Sequence, residues 1–251
     1  MRKLILITGG SRGLGRSGAV ALAKSGVDVL LTYKQNKQAA QEVVDMVISH
    51  GMKGYAMQCD TTNIEAFPGF SRQLKQVLEA EFNRSTIDYL LNNAGTGIHA
   101  SIEHTQIEQL EEMLAVHVKG PYFMTKELLP LIEAGGHIVN VSSGLTRFSL
   151  PGSAPYAMAK GAVEVMTRYM AKEFSDRNIR VNTLAPGAIA TDFRNGAIKQ
   201  SEQAQQFVSS VTALGRVGEA DDIGKALAAI FSDGFQWITG QRIEVSGGMF
   251  L

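Results

Sequence analysis

Tyr156 and Lys160 lie thirteen and seventeen residues after Ser143. A phenol, an ammonium and a hydroxyl at that spacing are suited to carbonyl chemistry. Residues four apart share one helix face, so Tyr156 and Lys160 point into one cleft. A free tyrosine titrates near pH ~10, too high for ready proton exchange at neutral pH. A neighbouring ammonium favours the phenolate and lowers that value. Tyr156 is then able to protonate a carbonyl oxygen as hydride reaches its carbon. Ser143 is placed to hydrogen-bond the same oxygen. The Tyr-x-x-x-Lys pair is not diagnostic alone, because it occurs three times, at Tyr33/Lys37, Tyr122/Lys126 and Tyr156/Lys160. Only the third has a Ser-Ser pair upstream, Ser142-Ser143, at the end of an apolar run.

The chain opens with a second feature, Thr8-Gly9-Gly10-Ser11-Arg12-Gly13-Leu14-Gly15. Gly9, Gly13 and Gly15 follow an apolar run and open an amphipathic one. Glycines let the backbone turn tightly and approach a pyrophosphate, and a helix N-terminus offers unpaired N–H groups to an anion. Taken alone, such a trio is also a plain strand-to-helix turn. A cofactor with a 2′-hydroxyl usually meets an Asp or Glu after the second strand. Here the second run ends Leu31-Thr32-Tyr33-Lys34, with no acid, and Arg12 sits inside the loop. Two cations without a carboxylate favour a 2′-phosphate, hence NADP(H), with NAD(H) as the alternative.

Positioning these residues requires a scaffold. Short apolar runs at 4–8, 27–33, 54–58, 87–91, 137–141, 181–184 and 242–245 alternate with helical patterns such as 19–25, 39–49, 70–82, 107–132 and 157–175. Near-continuous apolar strands separated by helices imply a parallel sheet covered on both faces. With right-handed crossovers this is a doubly wound, seven-stranded α/β sheet, in one domain spanning 1–251. In such sheets ligands collect at the carboxyl ends of the strands. The chemically suggestive residues follow six successive runs: the glycine loop, Lys34, Asp60, Asn92-Asn93-Ala94-Gly95, Ser142-Ser143 and Pro186-Gly187.

Bulk composition narrows the function classes. Of 251 residues 45% are hydrophobic, enough for a substantial core. Lys+Arg and Asp+Glu both number 24, so no basic excess points to nucleic acid or an anionic membrane. One cysteine, Cys59, excludes an intrachain disulfide and fits a reducing, cytoplasmic setting. It reads as a buried, inert thiol. The apolar run near the N-terminus is too short for a signal peptide core or a membrane span. His99 and His104 are neighbours, but no metal-ligand pattern accompanies them. Trp237 reads as C-terminal packing.

Together these motifs resemble the short-chain dehydrogenase/reductase family in its compact single-domain form. The resemblance covers the whole chain: Thr8–Gly15, Asn92–Gly95, the Ser143/Tyr156/Lys160 trio, Pro186-Gly187 with Thr191, Thr239-Gly240-Gln241 and Gly247-Gly248. It implies a Rossmann-type nicotinamide oxidoreductase acting on a carbonyl or secondary alcohol. It places Gly9, Ser11, Arg12, Gly13, Leu14, Gly15, Tyr33, Lys34, Asp60, Asn93, Ala94, Gly95, Lys160, Pro186, Gly187, Ile189 and Thr191 around the cofactor. Within that set it gives Asp60 to the adenine, Asn93 to the ribose region, Lys160 to the nicotinamide ribose and Thr191 to the carboxamide. It implies a homodimer or homotetramer, with helices near 107–132 and 157–175 at one interface and the C-terminal strand at another.

One departure stands out. The family usually has an Asn in the helix after the fourth strand that completes a proton relay with the Lys. Here that segment reads Ala115-Val116-His117-Val118-Lys119-Gly120. His117 either preserves the relay through water or fills space. The nearest specific activity is that of a β-ketoacyl-carrier-protein reductase, with sugar and polyol dehydrogenases open. An enoyl reductase is disfavoured by the Tyr–Lys spacing. A cofactor-sensing protein without turnover is the rival from another class. The substrate pocket is expected from 96–102, 144–150 and a polar, lid-like 192–211, with Leu145, Phe148 and Phe193 as an apolar wall. Arg147 there meets an anionic group or solvent.

Overall fold

The computed structural model describes residues 2–251. Seven strands alternate with helices: β1 (Leu4–Ile7), α1 (Gly13–Lys24), β2 (Asp28–Tyr33), α2 (Lys37–Ser49), β3 (Gly54–Gln58), α3 (Phe67–Phe82) and β4 (Ile87–Asn92). There follow α4 (Ile107–Leu114), α5 (Gly120–Leu128), β5 (Ile132–Val141), α6 (Ala154–Glu173), β6 (Arg180–Pro186), α7 (Glu202–Ser210), α8 (Ala220–Ile230) and β7 (Arg242–Val245). All strand pairs are parallel, in the order β3-β2-β1-β4-β5-β6-β7. The doubly wound sheet expected from the alternating pattern is therefore the observed one.

The cause is visible strand by strand. Leu4, Ile5, Leu6 and Ile7 are all 0% exposed, because β1 is central and covered on both sides. Burying each such side chain contributes about 1.5–3 kcal/mol. Alternate residues feed two separate cores. Leu4 and Leu6 pack with Leu74 of α3, Leu128 of α5 and Val163 of α6. Ile5 and Ile7 pack with Leu22 of α1, Val43 of α2 and Leu227 of α8. Chain order reverses between β1 and β4, and at such a switch point a crevice opens above the strand ends.

A buried polar ladder fixes the catalytic half of the sheet. Asn92 Nδ2 donates to Asn140 Oδ1 at 2.8 Å, and Asn140 Nδ2 donates to Thr167 Oγ1 at 2.9 Å. Thr183 Oγ1 donates to the same Thr167 oxygen at 2.8 Å. These bonds tie β4, β5 and β6 to α6. Satisfied inside the protein, each is worth about 1 kcal/mol, whereas removing one partner leaves a costly orphan.

The expected helix over 107–132 is broken. α4 ends at Leu114, a π-helical turn spans Ala115–Lys119, and α5 resumes at Gly120. Pro121 supplies part of the reason, since it has no N–H for the regular ladder. The 202–210 part of the expected lid is α7, capped by Ser201. Trp237 is 100% exposed, so it does not pack the C-terminal region of this chain. Among the described residues, no helix is long and apolar enough to cross a membrane.

Candidate active site

A cavity of about 880 Å³ runs along the carboxyl ends of the strands, from the loop after β1 to the segment after β6. One end is built by the glycine loop. Gly9 and Gly13 adopt φ of 65° and 55°, the left-handed region that disfavours side chains. A Cβ on Gly9 would lie 2.9 Å from Ala94 Cα. The loop therefore lies close against the strand-end segment after β4. Arg12 caps α1 without any side-chain hydrogen bond, and no acid stands in the first turn. The first N–H groups of α1 are thus left for an anion.

Ser11, Arg12, Gly13, Leu14, Tyr33, Lys34, Asp60, Asn93, Ala94, Gly95, Pro186, Gly187, Ile189 and Thr191 all line this cavity with Gly9. Gly15 does not. It lies behind the loop, where a Cβ would meet Gly9 O at 2.5 Å and Asn93 Nδ2 at 2.6 Å. There it packs closely against the loop and Asn93. Asn93 braces the loop as well, donating from Nδ2 to Thr8 O at 2.9 Å and Gly9 O at 3.0 Å. Lys34 is not uncontested, contrary to the sequence reading. Its Nζ lies 2.9 Å from Asp60 Oδ2. Arg12 has no acidic partner among the described residues.

The other end brings Ser143, Tyr156, Lys160 and His117 together on the same wall. Ser143 follows β5, and α6 carries Tyr156 and Lys160 over it. Lys160 Nζ donates to Val141 O at 2.7 Å and stands 5.6 Å from the centre of the Tyr156 ring. Burial pulls the Lys160 ammonium down to about 7. Burial likewise pushes the Tyr156 phenol up to about 12, opposed by a hydrogen bond from Ser143 and by the charge of Arg194. This corrects the expectation that Lys160 holds the Tyr156 pKa down. In the protein alone, desolvation outweighs the Ser143 hydrogen bond and the one opposing charge, which is that of Arg194 rather than Lys160.

His117 is 1% exposed in the π-helical turn. Its Nε2 lies 2.7 Å from Thr96 O, which can only accept, so Nε2 carries the proton. Burial, and then the Lys160 charge, hold its pKa well below the ordinary value, so the ring is neutral. Nδ1 is left as a buried acceptor without a partner, as is Asn92 Oδ1. Both residues line a small cavity of about 10 Å³, together with Lys160. That is room for about one water molecule.

Several side chains differ from their expected places. Arg147 does not line the cavity. It pairs with both Glu244 oxygens at 2.9 Å and donates to Phe250 O at 3.1 Å. Of 96–102 only Thr96 reaches the wall, whereas Gly144, Leu145, Phe148, Leu150, Phe193, Ala197 and Ile198 do. Cys59 lines the cavity, but burial pushes its thiol up to about 12, which keeps it unreactive. Arg194 was not anticipated. It lies in a left-handed run, Arg194, Asn195 and Gly196, with φ of 52°, 57° and 73°. The strain falls mainly on Arg194, at about 1–2 kcal/mol, because Asn tolerates this region. Asn-Gly turn chemistry was the available sequence clue. Among the described residues, no group of His, Cys, Asp and Glu is arranged to hold a metal ion.

A doubly wound parallel sheet, a glycine-rich anion cradle and a Ser/Tyr/Lys wall in one crevice define a dinucleotide-dependent oxidoreductase. The chain belongs to the short-chain dehydrogenase/reductase family. Residues 9–250 match a family model described as enoyl-(acyl carrier protein) reductase. The 3-oxoacyl-[acyl-carrier-protein] reductase of Staphylococcus epidermidis is 32% identical over 253 residues, covering 100% of both chains. The ketoreductase LugOII of lugdunomycin biosynthesis superposes with a TM-score of 0.93 at 35% identity, covering 99% of this chain and 98% of that one. The angucycline C-6 ketoreductase LanV, solved with bound NADP, gives 0.92 at 31% identity, covering 99% and 95%.

Proposed function

We propose that the protein is an NADP(H)-dependent reductase that interconverts a ketone and a secondary alcohol, with Tyr156 as proton donor. The carrying observation is that Ser143, Tyr156 and Lys160 share one continuous cavity with the glycine cradle. The cradle fits a pyrophosphate, and Arg12 and Lys34 at its rim fit a 2′-phosphate. The NADP held by LanV supports the same choice. When bound, the nicotinamide supplies the hydride.

The protein's own groups do the rest. Ser143 orients the carbonyl oxygen and hydrogen-bonds it as negative charge develops. Tyr156 transfers its proton to that oxygen. The carbonyl π bond breaks, and a C–H and an O–H bond form. Lys160 then returns a proton to Tyr156. The small cavity between Lys160, His117 Nδ1 and Asn92 Oδ1 offers a water position behind it. His117 takes the place of the family's relay Asn in this reading. The substrate is a small molecule. The exposed Met158, Val165 and Tyr169 on α6 support a homo-oligomer.

Tyr156→Phe tests the assignment. NADPH oxidation against a panel of ketones should fall by about 10³-fold or more, with NADPH binding by fluorescence within a few fold of wild type. Near-normal turnover would remove Tyr156 from its role.

A further inference from the structure

We propose that Arg194 forms an anion subsite beside the reacting oxygen, so that the substrate is a ketone carrying an oxyanion, either carboxylate or phenolate, near its carbonyl. The proposal rests on the reductase reading above and names the substrate class for the same site.

Arg194 lines the cavity and is half-buried. Among the described residues its guanidinium has neither a hydrogen-bond nor an ion-pair partner. The acids of the cavity wall do not meet it. Asp192 is held by Lys199 at 3.1 Å, Asp60 by Lys34 at 2.9 Å, and Glu112 is exposed. Other arginines around this part of the fold are paired, Arg147 with Glu244, and Arg242 with Glu164 and Glu244. A partly buried cation without a counter-charge is unfavourable, and an incoming anion offsets that cost.

The placement is built rather than incidental. The backbone at Arg194 and Asn195 is left-handed, and Phe193 and Arg194 both line the cavity. The Phe193 ring lies 5.7 Å from the Tyr156 ring, centre to centre. The Arg194 stem and the Phe193 ring both press on Gly97, where a Cβ would lie 2.9 Å from Arg194 Cγ and 2.6 Å from Phe193 Cζ. A side chain at position 97 would have to displace both. The contact of its neighbour Phe193 with Tyr156 sets Arg194 at the proton-transfer end of the cavity, where its charge opposes the burial shift of Tyr156. A planar guanidinium grips a carboxylate through two parallel hydrogen bonds and stacks on flat rings. Phe193, Phe148 and Leu145 supply apolar walls for the substrate body.

The test uses matched ketone pairs with the intact protein and NADPH: a keto acid with its methyl ester, and a phenolic aryl ketone that is ionised at assay pH with its methyl ether. Wild type should prefer an anionic member by about tenfold in kcat/KM, and the preference should shrink as salt rises. In Arg194→Gln the ratio should fall towards one, with Arg194→Lys between. Response of the acid pair alone assigns carboxylate; response of the phenolic pair alone assigns phenolate. A wild type that reduces neutral members equally well overturns the subsite but leaves the reductase reading standing. An equal loss on both members with weaker NADPH binding by fluorescence titration assigns Arg194 to the cofactor and also overturns it. No NADPH oxidation with any ketone overturns both readings.

Discussion

His117 meets Tyr156 edge-on, with ring centres 5.1 Å apart and planes at 88°. The imidazole therefore touches the proposed proton donor from behind, while its Nε2 is committed to Thr96 O. Its Nδ1 faces no protein donor. A space-filling ring and a relay member share these contacts, and they separate on substitution. His117→Asn should keep at least about a third of wild-type kcat, because an amide also holds a water. His117→Ala should lower kcat by about tenfold or more with little change in NADPH affinity. An Ala variant that melts early but turns over normally per folded molecule leaves His117 with packing alone.

Lys160 predicts a conflict between stability and function. Its folded pKa of about 7 lies below its ordinary value of 10.5. The folded state therefore binds fewer protons than the unfolded chain between those values, and the contribution of Lys160 becomes less unfavourable as pH rises through that window. Its cost is full below about pH 7 and gone above about 10.5. Lys160→Met should abolish turnover yet raise stability by about 1–3 kcal/mol at pH 6, a gain of a few degrees in Tm. The gain should shrink by pH 10. A variant that melts lower than wild type at pH 6 would show that the bond to Val141 O outweighs the buried charge.

The pairing of Lys34 with Asp60 makes cofactor choice a contest between two charges. Lys34→Glu should weaken NADPH relative to NADH by about tenfold, ~1.4 kcal/mol. Asp60→Asn should shift the ratio the other way by releasing Lys34, whatever it does to both affinities. Titration of both cofactors into each variant checks the two directions. A wild type that binds NADH as tightly as NADPH would end the electrostatic reading.

Gly15 and Gly13 should fail differently. A methyl on Gly15 is forced against Gly9 O and Asn93 Nδ2, so Gly15→Ala should lower stability by about 1–3 kcal/mol and distort the cradle. Gly13→Ala meets only Thr191 Cβ at 4.0 Å, and its cost comes from its φ of 55°. Thermal melts with and without NADPH separate the two. NADPH should restore less of the lost stability in Gly15→Ala.

The sheet and the cavity were legible because parallel strands buried on both faces read as apolar runs, and their ends carry the chemistry. Ser143, Tyr156 and Lys160 needed only helical and strand spacing. What escaped depends on contacts between distant segments. Arg147 was open because nothing near it in sequence points to Glu244. The Lys34–Asp60 pair joins the ends of β2 and β3. Arg194 reaches the site from a left-handed stretch, with its stem against Gly97. The pKa values of Tyr156 and Lys160 escaped for another reason: spacing shows that charges are near, while desolvation depends on how completely the fold covers them.

The π-helical turn at Ala115–Lys119 also sets a limit on redesign. A π-turn is an α-helix with one residue of slack, and slack can be taken up. Deleting a single residue there would regularise the hydrogen-bond ladder and give a smoother helix by every local measure. The flanking α4 and α5 would keep their faces, because the wider π-turn absorbs about one α-helical step of 100°. The cost falls on the turn itself, so that His117 would leave Thr96 O while Met124 and Leu128 stay in the core. Shortening or idealising this helix, an obvious route to a sturdier scaffold, would therefore trade the active-site geometry for local regularity.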